Sequence, residues 1–264
     1  MAVDIQSALV ERVCDIARKA GDAIRAVSLE SADVRAKGDG SPVTRADMAA
    51  HDVIMRELTA LETGYPVLSE EGDPAAAAAR LGSDNIFWLV DQLDGTKEFL
   101  KENGEYTVNI ALVDRTRPVI GVVYAPVPNL LYYAAEGFGS WRIDGSGQPV
   151  RLHGGGTDNP VVAVVSRSHP SPETDAYLAR FAVTRRIERG SSLKLCVCAE
   201  GGADIYPRLA PTSLWDTAAG AVVAREAGCR VVDTNGADLA YDPARGVLQT
   251  SFVIYAPETV TLPL

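Results

Sequence analysis

Trp88-Leu-Val-Asp91-Gln-Leu-Asp94-Gly-Thr96-Lys-Glu-Phe99 joins an apolar run to a turn. Residues 86–90 read as a buried strand that stops at Asp91. Asp94, Gly95 and Thr96 then give a turn and helix-start signal. A carboxylate at a strand end, another at the next turn and a glycine beside it suit a hard cation with oxygen ligands: Mg²⁺, Mn²⁺ or Ca²⁺. If Gly95 and Thr96 open a helix, their free N–H groups favour an anion such as phosphate at the same place. Cation and phosphate together point to metal-assisted phosphoryl chemistry.

The chain has 264 residues, enough for one sizeable core or two modest lobes. Its net charge of −10, with no run of lysine or arginine, argues against a polymeric nucleic acid partner, which needs clustered cations. A small anionic substrate remains compatible if divalent metals supply the positive charge. No apolar run reaches the roughly 18–20 residues that span a bilayer, and the N-terminus lacks a basic-then-apolar signal. Cys14, Cys196, Cys198 and Cys229 form no CxxC pair, so they read as buried, reduced thiols. The expected location is the cytoplasm.

Along the chain, residues 5–27 carry apolar side chains at three- and four-residue spacing, an amphipathic helix. A turn-rich loop at 37–43 leads to Thr44-Arg-Ala-Asp47, a capping arrangement that starts a second helix ending near Leu61. In isolation Asp47 reads as a helix-start residue. Pro66-Val-Leu-Ser-Glu70-Glu71 is a short strand ending in two acids, of which only one can face a given site. The alanine-rich 74–79 stretch reads as a surface helix or lid. Residues 106–113 and 119–125 form a hairpin, and 130–135 and 139–143 continue the meander. The glycine-rich 153–160 stretch reads as a linker, which sets lobes at 1–156 and 157–264. Past it come strands at 161–165, 185–188, 204–206 and 230–232, and helices at 172–181, 192–200 and 217–227. The expectation is an α/β fold: an α+β first lobe and an α/β second lobe.

Glu70, Asp91, Asp94 and Asp216 each sit where a strand or loop meets a helix, the usual place for a site in an open α/β sheet. Asp216 also reads as an N-cap. Converging carboxylates repel one another, and bound metal is the natural compensation. With three histidines and no HxxxH spacing, a histidine-based metal site is not supported.

Glu70-Glu71, Asp91-x-Leu93-Asp94-Gly95-Thr96 and Trp215-Asp216-x-Ala218-Ala219-Gly220 resemble the ordered signatures of the inositol monophosphatase superfamily. Lys97-Glu98-Phe99, Asn109-Ile-Ala-Leu112, Ser166-Arg-Ser-His169, Gly190-Ser-Ser-Leu-Lys194 and Tyr206-Pro-Arg208 resemble its CysQ branch, the 3′(2′),5′-bisphosphate nucleotidases. The resemblance implies a layered αβαβα fold and an Mg²⁺-dependent, lithium-sensitive phosphatase with two or three ions, Mn²⁺ being a substitute. It implies one ion held by Glu70, Asp91 and the Leu93 carbonyl, and a second by Asp91, Asp94 and Asp216. The first activates the attacking water and the second stabilises the leaving oxygen. Thr96, oriented by Asp47, positions that water, and Gly95 and Thr96 amides bind the scissile phosphate.

Ser166, Arg167, His169, Ser191, Lys194 and Arg208, with Asp216, are the expected substrate contacts. The expected reaction is hydrolysis of the 3′-phosphate of adenosine 3′,5′-bisphosphate to AMP, with phosphoadenosine phosphosulfate as a further substrate and a role in sulfur metabolism. An inositol monophosphatase or fructose 1,6-bisphosphatase is the alternative. The chain is expected as a monomer or homodimer, with peripheral association at the inner membrane face open. The family usually has proline where this chain has Gln92, which restores an N–H donor and is expected to loosen the local geometry. His51, on the second helix, reads as structural.

Overall fold

The computed structural model describes residues 5, 7–36, 42–73, 76, 79, 81, 85–155 and 161–262. The 37–41 part of the turn-rich loop, most of the alanine-rich stretch and the 156–160 end of the linker, where the lobe boundary was expected, lie outside them. Helix α1 (Ser7–Arg25), an antiparallel pair β1 (Arg35–Ala36) and β2 (Pro42–Val43), and helix α2 (Arg45–Thr59) come first. A seven-stranded sheet follows in chain order: β3 (Val67–Ser69), β4 (Ile86–Asp94), β5 (Thr107–Asp114), β6 (Arg117–Ala125), β7 (Leu130–Ala135), β8 (Gly139–Ile143) and β9 (Pro149–Arg151). The short helix α3 (Thr96–Leu100) sits between β4 and β5. β3 runs parallel to β4, and the remaining neighbours are antiparallel.

The second half contributes β10 (Val161–Ser166), α4 (Pro172–Leu178), β11 (Val183–Arg189), α5 (Leu193–Ala199) and β12 (Ile205–Arg208). It continues through β13 (Thr212–Ser213), α6 (Leu214–Glu226), β14 (Arg230–Asp233), β15 (Leu248–Gln249) and β16 (Phe252–Tyr255). Its five-stranded sheet has the order β11-β10-β12-β16-β14. β10 pairs in parallel with β11 and β12, whereas β16 runs antiparallel between β12 and β14. The Ser-Phe-Val-Ile-Tyr run that makes β16 has the β-branched, aromatic composition of a buried strand; the reading of the sequence passed over it, so the sheet is mixed rather than purely wound from βα units.

The layers are α1 and α2, the first sheet, α5 and α6, the second sheet, and α4, an α/β architecture. Burial explains the order. β4 is buried along its whole middle because it is covered on both faces: Phe87 and Leu89 pack with α6, Trp88 and Val90 with α1 and α2. Val10, Val13, Ala17, Ala20 and Ile24 give α1 one buried stripe. α6 is apolar nearly all round, as a helix between two sheets must be. One core cluster joins Leu68 and Phe87 of the first sheet to Val162, Tyr206 and Phe252 of the second. No described helix is long and apolar enough to cross a membrane.

α6 presses on β6 at Gly121, where an added Cβ would stand 2.3 Å from the Ala219 carbonyl oxygen and 2.9 Å from Val222 Cβ. Gly121→Ala should therefore push α6 off the sheet and cost about 1–3 kcal/mol. Urea unfolding checks this; a change below a few tenths would show that the helix can shift freely.

Candidate active site

β3 ends with Ser69 opposite Val90 of β4, so the next residues, Glu70 and Asp91, lie side by side. The strand does not stop at Asp91 as expected. Pairing with β5 is irregular between Asp91 and Asp94 and resumes with Asp94 opposite Thr107. In a regular strand residues three apart face opposite ways; the irregularity lets both acids serve one site. Asp216 arrives from the first turn of α6.

Burial, then Glu70, Asp94 and Asp216, hold the Asp91 carboxyl well above the ordinary range, and a hydrogen bond with Glu70 adds to this. Burial and the Asp94 charge push Asp216 up to about 6. Among the described residues, Asp91, Asp94 and Asp216 form no ion pair. No three acids, histidines or cysteines there close in tightly enough to hold an ion unaided. The acids nonetheless fit a hard cation: they are oxygen donors that repel one another, with Asp91 buried.

Asp216 and a further acid, Asp47, are aimed by the same device. Asp47 Oδ2 accepts from Thr44 N (2.7 Å) and Thr44 Oγ1 (2.6 Å), a capping box at the start of α2. Its Oδ1 is left to accept from Thr96 Oγ1 at 3.3 Å, so capping and site contact coincide. Asp216 is not the N-cap of α6; that is Ser213. Asp216 Oδ2 accepts from Ser213 N (2.9 Å) and Thr212 Oγ1 (2.6 Å), again from the third helical position. Thr96 Oγ1 also lies 3.4 Å from the Leu93 carbonyl. Gly95 takes φ +92°, and a Cβ there would come within 3.1 Å of Glu98 Oε2.

Asp94 is held from the other half of the chain. Its Oδ2 accepts from Ser192 Oγ (2.7 Å), Ser191 Oγ (2.8 Å) and Asn109 Nδ2 (3.4 Å). Ser191 is in the left-handed region at φ +53°, a strained conformation of the kind that collects at functional sites. Ser192 and Asn109 lie within the quoted motifs, but a buried Ser–Asn–Asp cluster has no periodic signature.

Glu70, Asp94, Gly95, Thr96, Ser166, His169, Ser191, Lys194, Arg208 and Asp216 line one cleft of about 200 Å³. Glu71 turns away toward Thr44 and Arg45. Burial pushes Lys194 down to about 8, against the pull of Asp94; its Nζ donates to the Ser191 carbonyl and stands 5.7 Å above the Tyr206 ring. Burial, then Lys97 and Arg208, hold His169 below its ordinary value. Lys97, not among the expected contacts, also lines the cleft, with Nζ 3.2 Å from His169 Nε2.

Arg167 corrects the expectation of a substrate contact. Its guanidinium grips Glu105 through two bonds (2.8 and 3.0 Å) and donates to the Glu188 carbonyl, away from the cleft lining. Burial raises the Glu105 pKa, but Arg167 and the Gly190 amide outweigh it and hold the carboxyl below its usual value. Arg167 thus fastens the second-half loops to the segment after α3.

Residues 6–260 match the inositol monophosphatase family. The chain belongs to that family. It is 47% identical to the Escherichia coli K12 protein named 3′(2′),5′-bisphosphate nucleotidase CysQ, over 92% of this chain and 98% of that one. The crystal structure of CysQ from Bacteroides thetaiotaomicron, an inositol monophosphatase family member, superposes with a TM-score of 0.80 at 39% identity, covering 96% and 98% of the two chains. Inositol monophosphatase from Anabaena shares the fold at TM-score 0.71 and 23% identity, with 94% and 90% covered.

Within the inositol monophosphatase family motif, Gln92 is tied to a neighbouring strand. It is fully buried, and its Oε1 accepts from Ser69 Oγ at 2.9 Å, which in turn lies 3.0 Å from His51 Nδ1. His51 is thus tied to the segment bearing Glu70.

The raised acids set a pH dependence. Between its unfolded value near 3.8 and about 6, folded Asp216 keeps a proton that the unfolded chain has lost, so stability falls as pH rises through that window. In EDTA the melting temperature should drop from pH 5 to pH 7.5, and Asp216→Asn should flatten the drop. Calorimetry at both pH values checks this; an unchanged slope in Asp216→Asn would count against the assignment.

Proposed function

We propose that the cleft hydrolyses the 3′-phosphate ester of an adenosine 3′,5′-bisphosphate to AMP and phosphate, and takes phosphoadenosine phosphosulfate by the same contacts. One observation carries the reading: one cleft faces Glu70, Asp94 and Asp216 with Lys97, His169, Lys194 and Arg208. Acids alone suit any metal phosphatase. The cations suit a substrate that keeps a second phosphate. The relatives named as bisphosphate nucleotidases support that choice. On this reading residues 1–156 supply most metal ligands, and 157–264 supply Asp216 and the contacts that choose the substrate.

Glu70, Asp91 and the Leu93 carbonyl would hold one Mg²⁺, and Asp91, Asp94 and Asp216 a second, with Mn²⁺ able to replace either. Such ions supply the charge that acidifies water and stabilises the departing oxygen. The Thr96 hydroxyl gives its proton to Asp47 Oδ1, which leaves its lone pairs to accept from the attacking water. Gly95 and Thr96 amides orient the scissile phosphate. As the water oxygen joins phosphorus, the P–O3′ bond breaks; one of the water's protons stays on the released phosphate and the other ends on O3′, which leaves as the alcohol. Lys194, Arg208 and His169 bind the phosphate that stays. Four free, buried cysteines suit a reducing cytoplasm.

Thr96→Val should lower kcat by about 10²–10⁴ with little effect on KM. A panel of adenosine 3′,5′-bisphosphate, inositol 1-phosphate and fructose 1,6-bisphosphate with Mg²⁺, repeated with Li⁺, tests the substrate. The nucleotide should be preferred and lithium should inhibit; preference for inositol phosphate would sink the reading.

Because Lys194 loses its charge near pH 8, AMP affinity in EDTA should weaken as pH rises from 7 to 9. Lys194→Arg, charged throughout, should abolish that trend in calorimetric titrations. A trend of equal size in the arginine variant would place the kept phosphate elsewhere.

A further inference from the structure

The paired strands that bring in Glu70 and Asp91 have a reverse face that the phosphatase reading leaves unused. Leu68, Phe87 and Leu89 belong to the cluster under α6, whereas Val67, Trp88 and Val90 pack with the α1 and α2 cluster. Alternation along β3 and β4 therefore turns Ser69 and Gln92 toward α2 and their neighbours Glu70 and Asp91 toward the cleft. Ser69 Oγ donates its one proton to Gln92 Oε1 at 2.9 Å. Ser69 must then accept from His51 Nδ1 at 3.0 Å, so that nitrogen carries a proton. His51 lies one helical turn beyond Asp47 on α2. A single hydrogen-bonded line thus joins the helix of Asp47, the residue before Glu70 and the residue between Asp91 and Leu93.

This line is kept at a cost. Gln92 is 0% exposed, and its Nε2 finds no acceptor among the described residues. A buried donor left unmade is destabilising, and packing alone would favour an apolar side chain of equal length such as methionine. What glutamine adds over methionine is the acceptor for Ser69. A proline would stiffen its own turn through φ but offers Ser69 no side-chain acceptor.

We infer that Gln92 is a positioning residue for the first cation: by gripping Ser69 from behind, it holds Glu70 and Asp91 at one separation. The inference rests on the metal-phosphatase reading, with Glu70 and Asp91 as shared ligands. Residues that orient ligands in this way typically change metal affinity about ten- to hundredfold when removed.

The test uses Gln92→Met, Ser69→Ala and the double variant of the full chain. Mn²⁺ affinity is measured by electron paramagnetic resonance without substrate, and melting temperature in EDTA. Each single variant should weaken the tightest Mn²⁺ site about ten- to hundredfold, and the double no further than the weaker single. Gln92→Met should melt no lower than the wild type, since it removes the unmade donor, and KM for the nucleotide should hold. Unchanged Mn²⁺ affinity in Gln92→Met, or independent, multiplying losses in the double variant, would overturn the inference. So would a lower melting temperature with Mn²⁺ affinity intact, the mark of a packing role. Glu70→Gln is the control: if it too leaves Mn²⁺ binding unchanged, the metal assignment fails rather than the role of Gln92.

Discussion

Repulsion among buried carboxylates is the constraint on which the active end of this molecule depends. Asp91 is held protonated beyond its ordinary range by burial and three acidic neighbours, and none of the described lysines or arginines pairs with it. A fold that merely minimised its own free energy would separate these groups or neutralise them. Instead a strand irregularity, two capping boxes and a pair of serines each aim one of the site's acids at the same place. On the metal-phosphatase reading, a bound divalent cation would restore the stability forgone.

The local devices share a logic. In both Asp47 and Asp216 one oxygen is committed to a helix terminus, which fixes the carboxylate and frees the other oxygen for the site. Asp94 is fixed similarly by hydroxyls from the far half of the chain. Orientation is thereby set by helix termini together with short hydroxyl side chains, the arrangement that keeps a charged site preorganised. On the cation side, Glu105 consumes Arg167, which leaves Lys194, His169, Arg208 and Lys97 to face the cleft.

Much of this was legible in the chain because the acids sit at boundaries between periodic segments. The strand at 86–90 and the Thr44–Asp47 cap are local signals that survive folding, whereas the helix expected from 217 begins at Leu214 with Ser213 as its cap. β16 was missed although its composition favours a strand, because a four-residue apolar run near the end of a chain has no flanking pattern to place it. Arg167 was misassigned for a different reason: its partner Glu105 is 62 residues away, and pairings at that range leave no trace in spacing. Gln92 was legible as a departure, yet its effect was read from backbone freedom alone. The hydrogen bond it also makes runs to a neighbouring strand, which spacing does not reveal.

The position of α6 as the middle layer has a consequence for how the site comes into being. Asp216 rides on a helix whose two flanks are covered by different sheets, while Glu70, Asp91 and Asp94 belong to the first sheet and the serines that steady Asp94 to the second half. Neither half contains a working remnant. The complete set of acids and their supports therefore exists only where both halves pack on α6.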